Sequence, residues 1–498
     1  MAAGCDCIIR EAAIYDGSGA PPVTGDVAIE GDRIAAVHAA AGAAPLSGRT
    51  TLNGAGLALA PGFIDVHTHD DFAALMYPDM AFKLEGGVTT CVVGNCGFGA
   101  APHAAAAVMA KTLHPNLSLP EWQGYAGYMQ RLEVQAPGVN IGVLVGHGTA
   151  RLAAMGTESR APTGPEMSAM KAVLAEGLEA GALGLSTGLV YDPGRFAATD
   201  EIVELAALMR GTGALYATHM RDEGTGLLDS VREAIGIGRR AGVAVQISHH
   251  KASGRSAWGL VNESLRLIEE AQRLGEDVHA DQYPYTAGST ILSAVYRDGR
   301  LRGVLGDLGP EDVVIASTAS HPDWEGRSLA QLGTEMNCTP EKAAERVLAE
   351  DSGVTVILHA MSEEDVRTVM RHPSTMIGSD GIPTIEGKPH PRLYGTFPRV
   401  LGRYARDEKL FPMEEAVYRM TGFAARKFGL HDRGVIRPGA CADLVLFDPA
   451  TIIDRGTFED PKRAPEGIRA VFVNGALAVD RGKVTGARTG RVLRRSRG

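Results

Sequence analysis

Residues 61–69 read Pro-Gly-Phe-Ile-Asp-Val-His-Thr-His, and this stretch decides the fold. An apolar run ends in His67-Thr68-His69, so two imidazoles two residues apart point to the same side of a strand. An isolated His-x-His is weak evidence. Here it closes a longer run, Leu57 to His67, and seven further runs repeat the pattern: residues 89–96, 141–147, 182–188, 214–219, 243–249, 277–283 and 374–380. Each is nearly continuously apolar, as strands covered on both faces are, and each ends in a polar, ionisable or glycine-rich turn. Helical segments alternate with them. That is the signature of an α/β fold of the (β/α)8 barrel type, in which the C-terminal strand ends share one face.

The flanks read differently. Residues 1–56 and 431–498 carry short strands with turns between them, and neither end has enough strands to bury a core alone. Together they are expected to form a small β-sandwich beside a barrel spanning 57–430. The interval 284–373 is too long for a simple crossover. An inserted helical segment, centred on 308–351, is expected between strands 7 and 8, over the barrel mouth.

Composition excludes several classes. The net charge of −10 without a long basic block argues against nucleic-acid binding. Arg491, Arg494, Arg495 and Arg497 are expected in a solvated tail. No stretch approaches the roughly 20 apolar residues of a membrane span, and the N-terminus lacks a signal-peptide core. Six cysteines in 498 residues do not form a disulfide framework. The expectation is a cytoplasmic enzyme, monomeric or a small homo-oligomer, whose partner is a small-molecule substrate.

His219 and His249 end the fifth and sixth runs, at the same expected face as His67 and His69. Neutral imidazoles with an open position suit catalytic zinc. His250 follows His249 directly, and alternation on a strand allows only one of them into the site. Cys96 ends the second run, and a thiolate is a good zinc ligand. Asp380 ends the eighth.

The run PGFIDVHTH resembles the first metal motif of the amidohydrolase superfamily. Residues 87–102, GVTTCVVGNCGFGAAP, resemble its N-acyl-D-amino-acid deacylase (D-aminoacylase) branch, as do VGHGTAR, GLSTGLVYDPG, THMRDEG, ISHHK, DQYPYTAGST, GSDG and HPRLYGTFPR, over nearly the whole chain. The resemblance implies zinc ligands His67, His69, Cys96, His219 and His249. It implies a tight site at Cys96, His219 and His249, and a weaker second one at His67, His69, Cys96 and Asp380. The family pattern Ile-Ser-His-x-Lys selects His249 over His250. Asp380 would be the catalytic acid–base group. Lys251, Tyr283, Ser289 and Arg392 would hold the substrate carboxylate. Tyr191, Met361, His359 and the 290–300 segment would shape the side-chain pocket, where Arg297 or Arg300 could favour acidic side chains or face solvent. His147, Arg221, Asp222 and Glu223 would support the ligands. The implied activity is zinc-dependent hydrolysis of N-acyl-D-amino acids, and the D preference rests on the resemblance alone. A hydantoinase- or dihydroorotase-like cyclic amidase would want a bridging lysine on strand 4, which 182–188 lacks. A D-specific dipeptidase would use the same chemistry. A non-catalytic interaction barrel would have lost the ligands present here.

Overall fold

The computed structural model describes residues 5–39, 46–111, 119–302 and 305–495. Eight parallel strands form the central sheet: β1 (Phe63–Asp65), β2 (Val88–Val93), β3 (Asn140–Gly146), β4 (Gly184–Gly188), β5 (Leu215–His219), β6 (Ala244–Ile247), β7 (Val278–Gln282) and β8 (Thr375–Ile377), hydrogen-bonded in sequential order. A parallel bridge between Thr68 and Gly381 joins the first strand to the last and closes the barrel. Ile64, Val92, Leu144, Leu215 and Met376 come from five different strands and pack together with Phe423 and Phe428. The barrel centre is therefore a filled core, and chemistry is confined to its rim.

The seam between β1 and β8 is held by buried charge. Lys83 Nζ donates to Asp65 Oδ2 (2.7 Å), Thr68 Oγ1 (2.9 Å) and Ser379 Oγ (3.1 Å), with Asp70 Oδ2 at 3.2 Å. Asp65 in turn accepts from the Ser379 N–H (2.8 Å) and hydroxyl (2.6 Å). This cluster anchors the turn that carries Asp380.

Both chain ends meet in one hydrogen-bonded sheet. Its order is 483–484, 476–480, 468–473, 444–447, 58–61, 5–14, 23–30 and 33–39, with 48–53 pairing beside 5–14. Ile34 N–H donates to Ala440 O and Gly439 N–H to Ile34 O, so the sheet rolls back on itself around Ile9, Val27, Leu59, Leu444 and Phe472. The expected first barrel strand is thus divided. Ala58–Pro61 belongs to the terminal sheet, pairing with 13–14 and 444–447, and only β1 enters the barrel.

Two expectations need correction. The insertion between β7 and β8 is not purely helical. It pairs 288–291, 355–358 and 313–317 in an antiparallel sheet beside helices Leu329–Glu335 and Pro340–Glu350, around its own apolar core. Its strands are short and lie between turn-rich stretches, which hid them. The C-terminal arginines are not a solvated tail. Val492–Leu493 pairs with β3, Arg494 donates to Ala180 O, and Arg495 donates to Leu178 O. Arg497 lies outside the described residues. Among the described residues, no helix is long and apolar enough to cross a membrane.

Lys83→Met leaves Asp65 and Asp70 buried without their counter-charge. A loss of about 3–5 kcal/mol is expected, read as a lowered thermal midpoint.

Candidate metal and substrate site

Turns at the strand ends aim the reactive side chains. Cys96, His249 and Asp380 all adopt left-handed backbone, with φ of 53°, 35° and 50°. That conformation is costly for residues with side chains and persists where the surroundings impose it. They do so here: the Asp380 N–H donates to His67 O (2.7 Å) and the His249 N–H to Asp281 Oδ1 (2.8 Å). Gly188 ends β4, and a Cβ there would lie 2.1 Å from Cys96 O. The close approach of the Cys96 turn to β4 therefore requires glycine at that strand end.

The side chains converge. Cys96 Sγ lies 3.4 Å from His67 Nε2 and 3.6 Å from His249 Nε2, and His249 Nε2 lies 2.9 Å from His219 Nδ1. Asp380 Oδ1 is 3.2 Å from His69 Nε2 and 3.4 Å from His67 Nε2. All six residues are buried. Ligand atoms of His67, Cys96 and His249, and of His67, His69 and Asp380, lie within 4.8 Å of one another. A buried thiol, four imidazoles and a carboxylate with lone pairs facing a common space fit a divalent cation, and this donor set suits zinc. Burial works to raise the Cys96 thiol. His67 beside it and hydrogen bonds from His219 and His249 nevertheless hold it well below the usual range, as a metal-binding thiolate requires. Against the same effect of burial, Arg392, His249 and His67 hold Asp380 ionised.

His250 turns away from this cluster and meets Ser264 Oγ at 2.8 Å. Glu223 was expected to support the ligands, and a third group of ligand atoms within 4.8 Å joins it to His219 and His249. Its Oε1 lies 2.9 Å from His249 Nδ1 and 2.7 Å from Lys251 Nζ. Burial disfavours the charge, but Lys251, His219 and His249 keep this carboxyl far below its ordinary range. Asp281, at the end of β7, was missed by sequence reasoning. Its Oδ1 is 3.1 Å from His67 Nδ1, which leaves His67 Nε2 facing Cys96 and Asp380. The available signal was an acid at a strand end, in the quoted 277–283 run.

The adjoining cavity is lined by Lys251, Tyr283, Ser289, Tyr191 and Met361, with Asp380 and His219 at one side. Arg392 is fully buried, with its guanidinium 4.5 Å from the centroid of the Tyr283 ring. Its Nη2 donates to Ser289 O (3.2 Å). Its Nη1 lies 2.9 Å from Asp380 Oδ2 but is not aligned for a hydrogen bond, and its Nε has no acceptor. Tyr283 OH contacts Met361 Sδ at 3.9 Å, and Tyr191 OH pairs with Thr290 Oγ1 at 3.0 Å.

Some expected positions fall elsewhere. His359 packs on Phe458 and lines a separate outer groove, while Leu358 and Ala360 face the site. Alternation along an extended chain separates these neighbours. Arg300 is exposed and Arg297 pairs with Asp192 (2.9 Å). His147 bonds Glu201, Arg221 bonds Glu233, and Asp222 accepts from the Gly224 and Gly226 N–H groups.

The amidohydrolase family pattern matches residues 50–292 and 299–479. The chain belongs to the amidohydrolase family. Among its members, the D-aminoacylase of Alcaligenes xylosoxydans xylosoxydans is 42% identical over 99% of this chain and 98% of that one. The N-acyl-D-glutamate deacylase of the same organism is 41% identical over 98% and 96%. A solved amidohydrolase structure, the N-acyl-D-glutamate deacylase of Bordetella bronchiseptica with zinc and a phosphonate inhibitor, superposes with a TM-score of 0.88 at 39% identity, covering 99% of this chain and 100% of that one. Within the family the chain falls in the N-acyl-D-amino-acid deacylase branch, and it is a metal-dependent hydrolase.

Glu223→Gln removes the charge that orients His249 and Lys251. Metal affinity is expected to fall about 10- to 100-fold, measured by competition with a chelator.

Proposed function

We propose that the protein is a zinc-dependent deacylase of N-acyl-D-amino acids, releasing a carboxylic acid and a free D-amino acid. The observation that carries this reading is Arg392. A fully buried guanidinium with unsatisfied donors, beside Lys251 and Tyr283 and facing a cluster of metal donors, is built to receive a carboxylate next to a hydrolytic centre. Arginine's planar fork suits that group, and Lys251 adds a compact charge. A linear acylamino acid has such a carboxylate at a fixed distance from its amide. The D configuration is supported by the names of the similar enzymes.

In this reading Cys96, His219 and His249 hold the tight zinc, and His67, His69, Cys96 and Asp380 frame a second, weaker position. Zinc supplies Lewis-acid polarisation of the amide carbonyl and lowers the pKa of water from 15.7 to roughly 7. Asp380 accepts the proton of the attacking water as the new C–O bond forms, then returns it to the amine nitrogen as the C–N bond breaks. Arg392, Lys251, Tyr283 and Ser289 hold the α-carboxylate and orient the amide toward Asp380. Arg392 Nη1 sits 2.9 Å from Asp380 Oδ2, so a bound carboxylate competes with Asp380 for it. Glu223 and Asp281 act through His249, Lys251 and His67 as positioning residues. Six unpaired thiols suit a reducing compartment, and the proposed location is the cytoplasm.

Asp380→Asn is expected to abolish nearly all turnover of N-acetyl-D-methionine while the tight-site zinc remains, checked by steady-state kinetics beside metal analysis. Retained activity in this variant would overturn the role given to Asp380. Arg392→Lys keeps the charge but loses the fork, and KM is expected to rise about 10- to 100-fold. Inactivity of the native zinc protein on a panel of N-acetyl-D-amino acids, with turnover of dihydrouracil or hydantoin instead, would replace the proposal with a cyclic amidase.

A further inference from the structure

The similar enzymes divide by side chain, since one is named for D-glutamate and another carries no such restriction. Their identities of 42% and 41% do not choose between them. The cavity wall does. We propose that this site accepts neutral, apolar D-side chains and rejects acidic ones, an inference that rests on the deacylase reading above.

Beyond the carboxylate-binding groups, the wall is made by Leu305, Leu358, Ala360 and Met361 from the inserted segment, with Tyr191 and Thr290 beside them. The four apolar residues are buried. The hydroxyls in this wall are already engaged. Tyr191 and Thr290 bond each other, and Ser253 donates to Leu305 O. A side-chain carboxylate would need a cation there, because an ionised group without a partner is expelled from an apolar wall.

Among the described residues, the cations near this wall are either paired or lie outside the cavity lining. Lys251, 2.7 Å from Glu223, and Arg392, 2.9 Å from Asp380, are both assigned to the α-carboxylate in the deacylase reading. Arg297, one of the two arginines expected from sequence to favour an acid, pairs with Asp192, which also binds Arg195. Arg302 donates to Ala294 O (3.3 Å), and Arg300 is exposed on a hairpin. None of these three arginines lines the cavity. The inserted segment thus presents Leu305, Leu358, Ala360 and Met361 to the site, while Arg297, Arg300 and Arg302 lie outside the cavity lining.

The test is a specificity panel on the zinc-loaded protein: N-acetyl-D-leucine, N-acetyl-D-methionine, N-acetyl-D-glutamate and its neutral isostere N-acetyl-D-glutamine. The apolar substrates are expected to exceed D-glutamate in kcat/KM by about 100-fold or more, and D-glutamine to exceed D-glutamate by about 10-fold, since only charge separates that pair. Arg297→Ala is expected to leave the leucine-to-glutamate ratio unchanged, and Leu358→Arg to shift it toward glutamate. D-glutamate turned over as well as D-glutamine, or a fall in D-glutamate activity alone in Arg297→Ala, overturns the proposal and leaves the deacylase reading standing. Failure of every D-substrate overturns the deacylase reading, and this inference with it.

Discussion

A thiol, four imidazoles and a carboxylate are buried against one another at the barrel rim, and the rest of the structure follows from that crowding. His249 Nε2 faces His219 Nδ1 at 2.9 Å and the Cys96 sulfur at 3.6 Å. Lone pairs at such distances repel unless protons or a cation stand among them, and this donor set suits a divalent cation. Holding it together calls for left-handed backbone at Cys96, His249 and Asp380, and at His249 and Asp380 that strain is balanced by N–H groups donating to neighbouring strand ends.

Two layers of buried charge surround the cluster. Asp281 orients His67, while Glu223 joins His249 to Lys251. Glu223 therefore touches both the metal side and the substrate side. Farther out, Lys83 with Asp65, Asp70 and Ser379 fixes the seam where β1 meets β8. The seam carries His67 and His69 on one edge and Asp380 on the other.

The inserted segment has its own core and forms a wall of the substrate cavity. Chemistry is thus assigned to the barrel rim and selectivity to a separately packed layer. This division lets the side-chain preference vary without disturbing the ligands.

Runs of apolar residues ending in His, Cys or Asp are local patterns, so the eight strands and the residues that converge at their ends were readable from the chain alone. Cys96, His67, His69, His219, His249 and Asp380 stand out because each closes, or follows within two residues, a mostly apolar run. Partnerships between distant positions were not readable. Asp281 beside His67, Glu223 between His249 and Lys251, and Lys83 under the seam depend on which strand ends become neighbours in three dimensions. The same holds for the insertion, whose short strands escaped a helical reading, and for the exchange of His359 for Leu358 and Ala360 at the cavity. Local periodicity is written in consecutive residues, whereas the direction a side chain faces after a turn is set by packing. The metal-binding residue types were therefore a property of the sequence, and their mutual geometry and the character of the substrate wall were decided by tertiary structure.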